Sequence, residues 1–110
     1  MKKEELFKKI LCDFYCLPGV DKVEEWHENA YQFTVGKQLY VVCNEDGEEE
    51  ILRDYRTASI YAAQEDIPEM YHDFFEFNEY ADYTWQTIYD VYDTVEEVTF
   101  ENEKYYICLV

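Results

Sequence analysis

Glycine is scarce in this sequence, and the few glycines form no nucleotide-binding motif. Only three occur among 110 residues, and none lies in a phosphate-binding loop pattern. Gly-x-Ser-x-Gly and histidine-rich metal motifs are also missing. The chain has enough carboxylates for a glycosidase-type catalytic pair, but a chain this short has little room for a substrate cleft. The sequence therefore predicts a protein that is not an enzyme and has no catalytic residues.

Two groups of residues have the right chemistry for a metal but the wrong spacing. The stretch EDGEEE at 45–50 lacks the alternating acidic positions that precede the glycine of a calcium loop. Cys12 and Cys16 lie one helical turn apart, yet no Cys-x-x-Cys pair exists, so buried reduced thiols are the better interpretation. We therefore expect no metal and no cofactor.

Long apolar runs are missing as well. Lys and Glu interrupt every apolar stretch of the N-terminal MKKEELFKKILCDFYC, which does not indicate a signal peptide. No stretch approaches the ~20 apolar residues that span a bilayer, and anionic lipid surfaces would repel a net charge of −17. The sequence predicts a cytoplasmic protein that does not bind membranes.

What the chain does contain is a large apolar and aromatic share, 48% and 19% of its residues. Disordered acidic tails lack such side chains, because they cannot offset the entropy of ordering. The whole chain, 1–110, is therefore predicted to fold as a single domain.

Hydrophobic periodicity predicts an α+β fold that begins with a helix and a three-stranded antiparallel meander. Apolar residues recur at helical spacing over 6–14, and Pro18-Gly19 is predicted to end this first helix. Residues 23–44 then alternate as three short strands, with Gly36-Lys37 as a tight turn.

The second half is predicted to hold two or three helices and a C-terminal β-hairpin. NEDGEEE, 44–50, is predicted to be a solvated loop, followed by a weakly helical segment and two helices near 67–79 and 82–94. Asp66 and Glu69 have the spacing of a capping box. The hairpin occupies the last 16 residues, with its turn predicted at Asn102-Glu103.

On helices in this region the acidic residues would gather into stripes. The first stripe would contain Asp66, Glu69, Asp73 and Glu76. Tyr71 and Phe74 would lie opposite it, in the core, as would Trp85 and Tyr92 of the second helix. The second stripe would contain Asp82, Asp90 and Asp93, with Glu97 just beyond.

No cation relieves these stripes. From 57 to 103 the chain has 13 acids and no Lys or Arg, whereas four of its nine cations lie within the first nine positions. Like charges at helical spacing repel each other and destabilise the helix. Because no cation compensates for this repulsion, we expect the stripes to have a function.

A row of fixed negative charges on a rigid scaffold is electrostatically similar to a phosphate backbone, and it would attract a basic groove. Exposed aromatic rings between the acids could add apolar contacts. The predicted partner-binding residues are Asp66, Glu69, Asp73, Glu76, Glu79, Asp82, Asp90, Asp93, Tyr80 and Tyr83.

In composition and charge placement, 65–93 and the tyrosine-rich chain around it resemble the small acidic DNA-mimic inhibitors of phages and mobile elements, of the anti-CRISPR and anti-restriction type. The resemblance implies a non-enzymatic inhibitor that blocks the DNA- or RNA-binding groove of a basic protein, a nuclease in the first instance. Such a protein would not bind nucleic acid directly.

Two alternatives have the same physical profile. An acidic immunity protein would neutralise a basic nuclease toxin. An adaptor would bind its partner through an apolar patch or an exposed strand edge such as 104–110, and its acids would only keep it soluble.

Overall fold

The computed structural model describes residues 2–110, except for the side chains of 80–83. It confirms the α+β class, with an N-terminal helix, a three-stranded meander, further helices and a C-terminal hairpin. In chain order the elements are α1 (Lys3–Tyr15), β1 (Lys22–His27), β2 (Ala30–Val35), β3 (Gln38–Asn44), α2 (Glu45–Asp66), a 3₁₀ helix (Glu69–Phe74), α3 (Phe77–Thr84), α4 (Ile88–Val91), β4 (Thr94–Phe100) and β5 (Glu103–Leu109).

The five strands form one antiparallel sheet in the order β1-β2-β3-β5-β4. The C-terminal strand β5 therefore lies inside the sheet, hydrogen-bonded to β3 on one side and β4 on the other. The interpretation of 104–110 as a free strand edge is wrong. The edges are β1 and β4, and the exposed Glu side chains of both strands, with Lys22 of β1, discourage further strand pairing.

Alternating side chains place the sheet between two helical layers. Tyr31 and Phe33 of β2 face α1, whose Phe7, Ile10 and Leu11 are buried against them. The opposite face of the sheet packs against α2 and α4. Helices cover the central strands β3 and β5 on both faces. The sequences of these two strands are accordingly nearly continuous apolar runs.

The acidic stretch after β3 is the first part of a long helix, so the prediction of a solvated loop is wrong. Asn44 caps α2: its Oδ1 accepts a hydrogen bond from the backbone N–H of Gly47 at 2.8 Å. Glu45, Asp46 and Glu48 lie in the first turn, where the helix dipole favours negative charge. The cap and the dipole explain why these acids are helical.

The predicted helices at 67–79 and 82–94 are also wrong. Helix α2 runs to Asp66 and stops because Ile67 precedes Pro68, and the residue before a proline is disfavoured in helical geometry. A 3₁₀ helix, α3 and the single turn of α4 follow. The capping box is formed by Thr87 and Asp90, not by Asp66 and Glu69.

Two turns differ slightly from their predicted positions. Helix α1 ends at Tyr15, and the next residue, Cys16, has the left-handed backbone of a C-cap (φ 53°), two residues before Pro18-Gly19. The C-terminal hairpin turns at Glu101-Asn102, one residue earlier than predicted. Both residues have positive φ, as the favoured two-residue hairpin turns require.

The molecule is elongated, with extents of 54 × 30 × 24 Å. The buried residues of α2, namely Gly47, Ile51 and Leu52, all lie in its first third. A 22-residue helix is about 33 Å long, so its second half extends beyond the sheet, and α3 packs alongside it. We call residues 57–84 the acidic arm and the rest of the molecule the body.

None of the helices in the described part of the chain combines the length and the apolar character that crossing a membrane requires.

Candidate partner-binding surface

The acidic arm concentrates unbalanced charge at one end of the molecule. Its 28 residues include seven acids and no Lys or Arg. Among the residues that the structure describes, the five ion pairs all involve side chains of the body, such as Lys9 with Asp13 and Lys104 with Glu97. The arm acids whose side chains the structure describes therefore form no ion pair within the described part of the chain.

Five of the predicted binding acids lie on this arm, and all five are exposed. They are Asp66, Glu69, Asp73, Glu76 and Glu79. They do not form the predicted helical stripe, because they are divided among the end of α2, the 3₁₀ helix and α3 with the segment before it. The predicted continuous α-helical row of carboxylates over 66–78 is therefore wrong, although each of its four acids is exposed.

The 3₁₀ helix sets which side chains face outward. With about three residues per turn, residues three apart lie on one row. His72 faces α2, because its Nε2 lies 2.8 Å from the carbonyl oxygen of Ile67 and 3.0 Å from that of Gln64. The rows of Tyr71 with Phe74 and of Met70 with Asp73 consequently face solvent.

These outward rows expose large apolar side chains that were predicted to be core. Phe74 is 81% exposed, Met70 75% and Tyr71 50%. The prediction for Tyr71 and Phe74 is wrong because it assumed an α-helix over 66–78, whereas Glu69–Phe74 is a 3₁₀ helix, whose shorter period places these two side chains outward.

Glu76 and Glu79 form a close carboxyl pair on the arm. The hydrogen bond from Glu79 to Glu76, followed by the repulsion between the two charges, raises the pKa of the Glu79 carboxyl above its usual value. The described residues supply no cation to this pair. The pair is therefore a position of concentrated negative charge.

The remaining predicted binding residues fall elsewhere. Asp90 belongs to the body, and its Oδ2 accepts hydrogen bonds from the backbone N–H groups of Gln86 and Thr87, both at 3.0 Å. These bonds lower the pKa of Asp90 and give it a structural role in the cap of α4. Asp93 is exposed just before β4. The side chains of Tyr80, Asp82 and Tyr83 lie outside the described residues.

Hydrogen bonds and rings fix the base of the arm to the body. The Nε of Arg56 donates to the carbonyl oxygen of Trp85 at 2.7 Å, and the Nε1 of Trp85 donates to the hydroxyl of Ser59. Tyr55 packs against both Trp85 and Tyr92, and Tyr92 is buried on the sheet, as predicted for the core. The arm therefore has a defined orientation at its base.

Two acids near the start of α2 accept hydrogen bonds that connect this helix to the rest of the body. Glu48 accepts a hydrogen bond from the N–H of Ile88 at 3.0 Å, and Glu50 accepts one from the side-chain amide of Asn29 at 3.0 Å. In the part of the chain that the structure describes, no three metal-ligating side chains cluster together.

Comparison of this chain with protein-family models, with curated proteins and with solved structures found no match.

Proposed function

We propose that this protein is a non-enzymatic cytoplasmic inhibitor that occupies the basic DNA- or RNA-binding groove of a nuclease, without binding nucleic acid itself. The acidic arm is the docking segment. Its carboxylates take the positions that phosphates would occupy against the groove's Lys and Arg side chains.

The observation that supports this proposal is the separation of charge along the molecule. The arm carries six exposed carboxylates without a described cation partner, while the lysines lie on the body. Self-repulsion on the arm costs stability at low salt, and a basic groove would relieve that repulsion. Fixed charges on a projecting element also steer association, which raises the on-rate.

Exposed apolar side chains on the same arm supply the second part of an interface. Phe74 and Met70 are the most exposed large apolar residues of the described chain. Aromatic and methionine side chains are enriched at interface cores, where desolvation gives most of the affinity. Charge would therefore guide docking, and these side chains would prolong it.

A second candidate function depends on the same exposed side chains alone. An adaptor or immunity protein could bind through Met70, Tyr71 and Phe74, with the acids acting only as solubilising groups. Salt dependence separates the two functions, because charge-driven binding is screened over a few ångströms at 0.5 M salt, whereas apolar burial is not.

The experiment is a salt titration of inhibition. Purified basic nucleases, some that cleave single strands and some that cleave duplexes, are each assayed with a fluorescent oligonucleotide. We expect inhibition at 50 mM salt that weakens by at least about 100-fold at 0.5 M salt. Inhibition that survives 0.5 M salt would support the apolar adaptor instead, and no inhibition of any nuclease at 50 mM salt would contradict the proposal.

Binding should also release a proton from Glu79. A cation from the partner favours the charged carboxylate, so affinity should fall as the pH is lowered through the raised pKa of Glu79. Calorimetry in two buffers of different ionisation enthalpy measures the proton released. A Glu79→Gln variant, which has no proton to lose there, serves as the control and should release less.

A further inference from the structure

A cleft of about 380 Å³ lies on the acidic arm between α2 and the segment that enters α3. Its lining includes Ile60, Gln64, Phe75, Glu76, Phe77 and Glu79. It differs from the rest of the arm because apolar rings and carboxylates line the same concave surface.

The rings provide a flat apolar wall. Phe75 and Phe77 lie 6.0 Å apart between ring centroids with their planes tilted by 30°. Phe77 is held in place by an edge contact with the ring of His72, at 5.5 Å, and His72 in turn binds the last carbonyls of α2. Phe75 is half exposed and accessible to an incoming side chain.

The carboxylates provide the charge at the same cleft. Glu76 and Glu79 both line the cleft, and the backbone N–H of Glu79 donates to the carbonyl oxygen of Glu76 at 3.1 Å, which keeps the two residues on one turn of the chain. Two like charges beside an apolar wall are most stable when a cation lies between them and covers the rings.

We propose that this cleft receives an arginine side chain of the partner protein. The guanidinium is planar, stacks on aromatic rings and presents several N–H donors that fit two carboxylates at once. A lysine ammonium has no plane to stack and carries a tighter hydration shell. A calcium ion would need six or more oxygen ligands, whereas the carboxyl groups of Glu76 and Glu79 in this cleft supply at most four.

This inference rests on the proposed function in one respect: the arginine belongs to the basic groove that the arm enters. It adds a specific contact, because the other arm acids attract Lys and Arg alike. The partner would therefore be a protein with an arginine in the part of its groove that meets α3.

The test compares ten-residue arginine and lysine homopeptides of equal charge, with binding measured by calorimetry at 50 mM salt. The wild-type protein should bind the arginine peptide at least about tenfold more tightly than the lysine peptide. Glu76→Gln with Glu79→Gln should reduce this preference to within about threefold, and so should Phe75→Leu, which retains apolar volume without a ring.

The matched control is Glu65→Gln with Glu69→Gln, which removes the same charge from other exposed positions of the arm. It should weaken both peptides equally and keep the preference for arginine. Circular dichroism confirms that each variant folds.

Equal affinity of the wild-type protein for the two peptides would overturn the inference, as would a control that loses the preference to the same extent. Either result leaves the proposed inhibitor function intact, since that function depends on nuclease inhibition and its salt dependence. Conversely, a preference for arginine without inhibition of any nuclease would support the arginine-binding cleft and contradict the inhibitor function.

Discussion

Replacing Glu69, Asp73 and Glu76 together by lysine should abolish nuclease inhibition and leave the fold intact. All three side chains are exposed on the acidic arm, and the described residues give none of them a cation partner. Each replacement turns an attraction to a basic groove into a repulsion. Like-charge contacts at an interface cost several kcal/mol, so three of them should weaken inhibition by more than about 1,000-fold.

The free energy of unfolding should change little in this triple-lysine variant. The three positions are not buried, and lysine next to the remaining arm acids replaces repulsion with attraction. We expect the urea midpoint to stay the same or to rise slightly. Inhibition constants and urea denaturation of the same preparation separate lost binding from lost folding.

The control for this variant reverses three exposed acids of the body: Glu5, Glu96 and Glu101. It changes the net charge by the same amount, so a general electrostatic effect would weaken inhibition equally in both variants. We expect at most about a tenfold loss in the control, through slower association. A folded arm variant that still inhibits would refute the arm as the binding surface.

Replacing Gly47 by alanine should be among the most destabilising single substitutions in this chain. A Cβ at this position would lie 2.0 Å from the carbonyl oxygen of Asn29 and 2.7 Å from the Cβ of Cys43. Neither neighbour can yield easily, since one is backbone and the other is buried between the sheet and α2. Alanine favours helix over glycine by about 1 kcal/mol, which offsets only part of the clash, so a net loss of roughly 2 kcal/mol is expected.

The Gly47→Ala substitution should also affect the arm. Gly47 lies where α2 contacts the turn after β1: Asn44 donates to the carbonyl of Asn29, and the amide of Asn29 donates to Glu50. Displacing α2 there shifts the helix from which the arm extends. We therefore expect weaker inhibition along with the lower urea midpoint.

Gly19 provides the matched control, because a Cβ there would meet nothing within 4 Å. Gly19→Ala should leave the free energy of unfolding unchanged or raise it by less than about 1 kcal/mol, through reduced freedom of the unfolded chain. If Gly47→Ala were as stable as Gly19→Ala, the close approach of α2 to the Asn29 turn would not exist in solution.

The sequence by itself determined the elements whose signals are local. Alternation of Tyr31, Phe33 and Val35 is enough for a half-buried strand, and a turn with Gly36 joins it to the next. The periodic apolar residues of α1 predict a helix whatever the element packs against. The absence of cations from 57 to 103 is likewise a property of the sequence alone.

Only the tertiary structure decided how the acids are arranged. The Asn44 cap favours a helix in the acidic stretch after β3, and burial of Ile51 and Leu52 against the sheet stabilises it, so that this long helix carries the arm past the body. Pro68 ends it, and the 3₁₀ geometry that follows turns Tyr71 and Phe74 outward. Strand β5 pairs with β3 through residues about 65 positions apart, as in Val42 with Ile107. Charge and periodicity are set residue by residue along the chain, but which surface a side chain occupies depends on distant packing partners that no local pattern specifies.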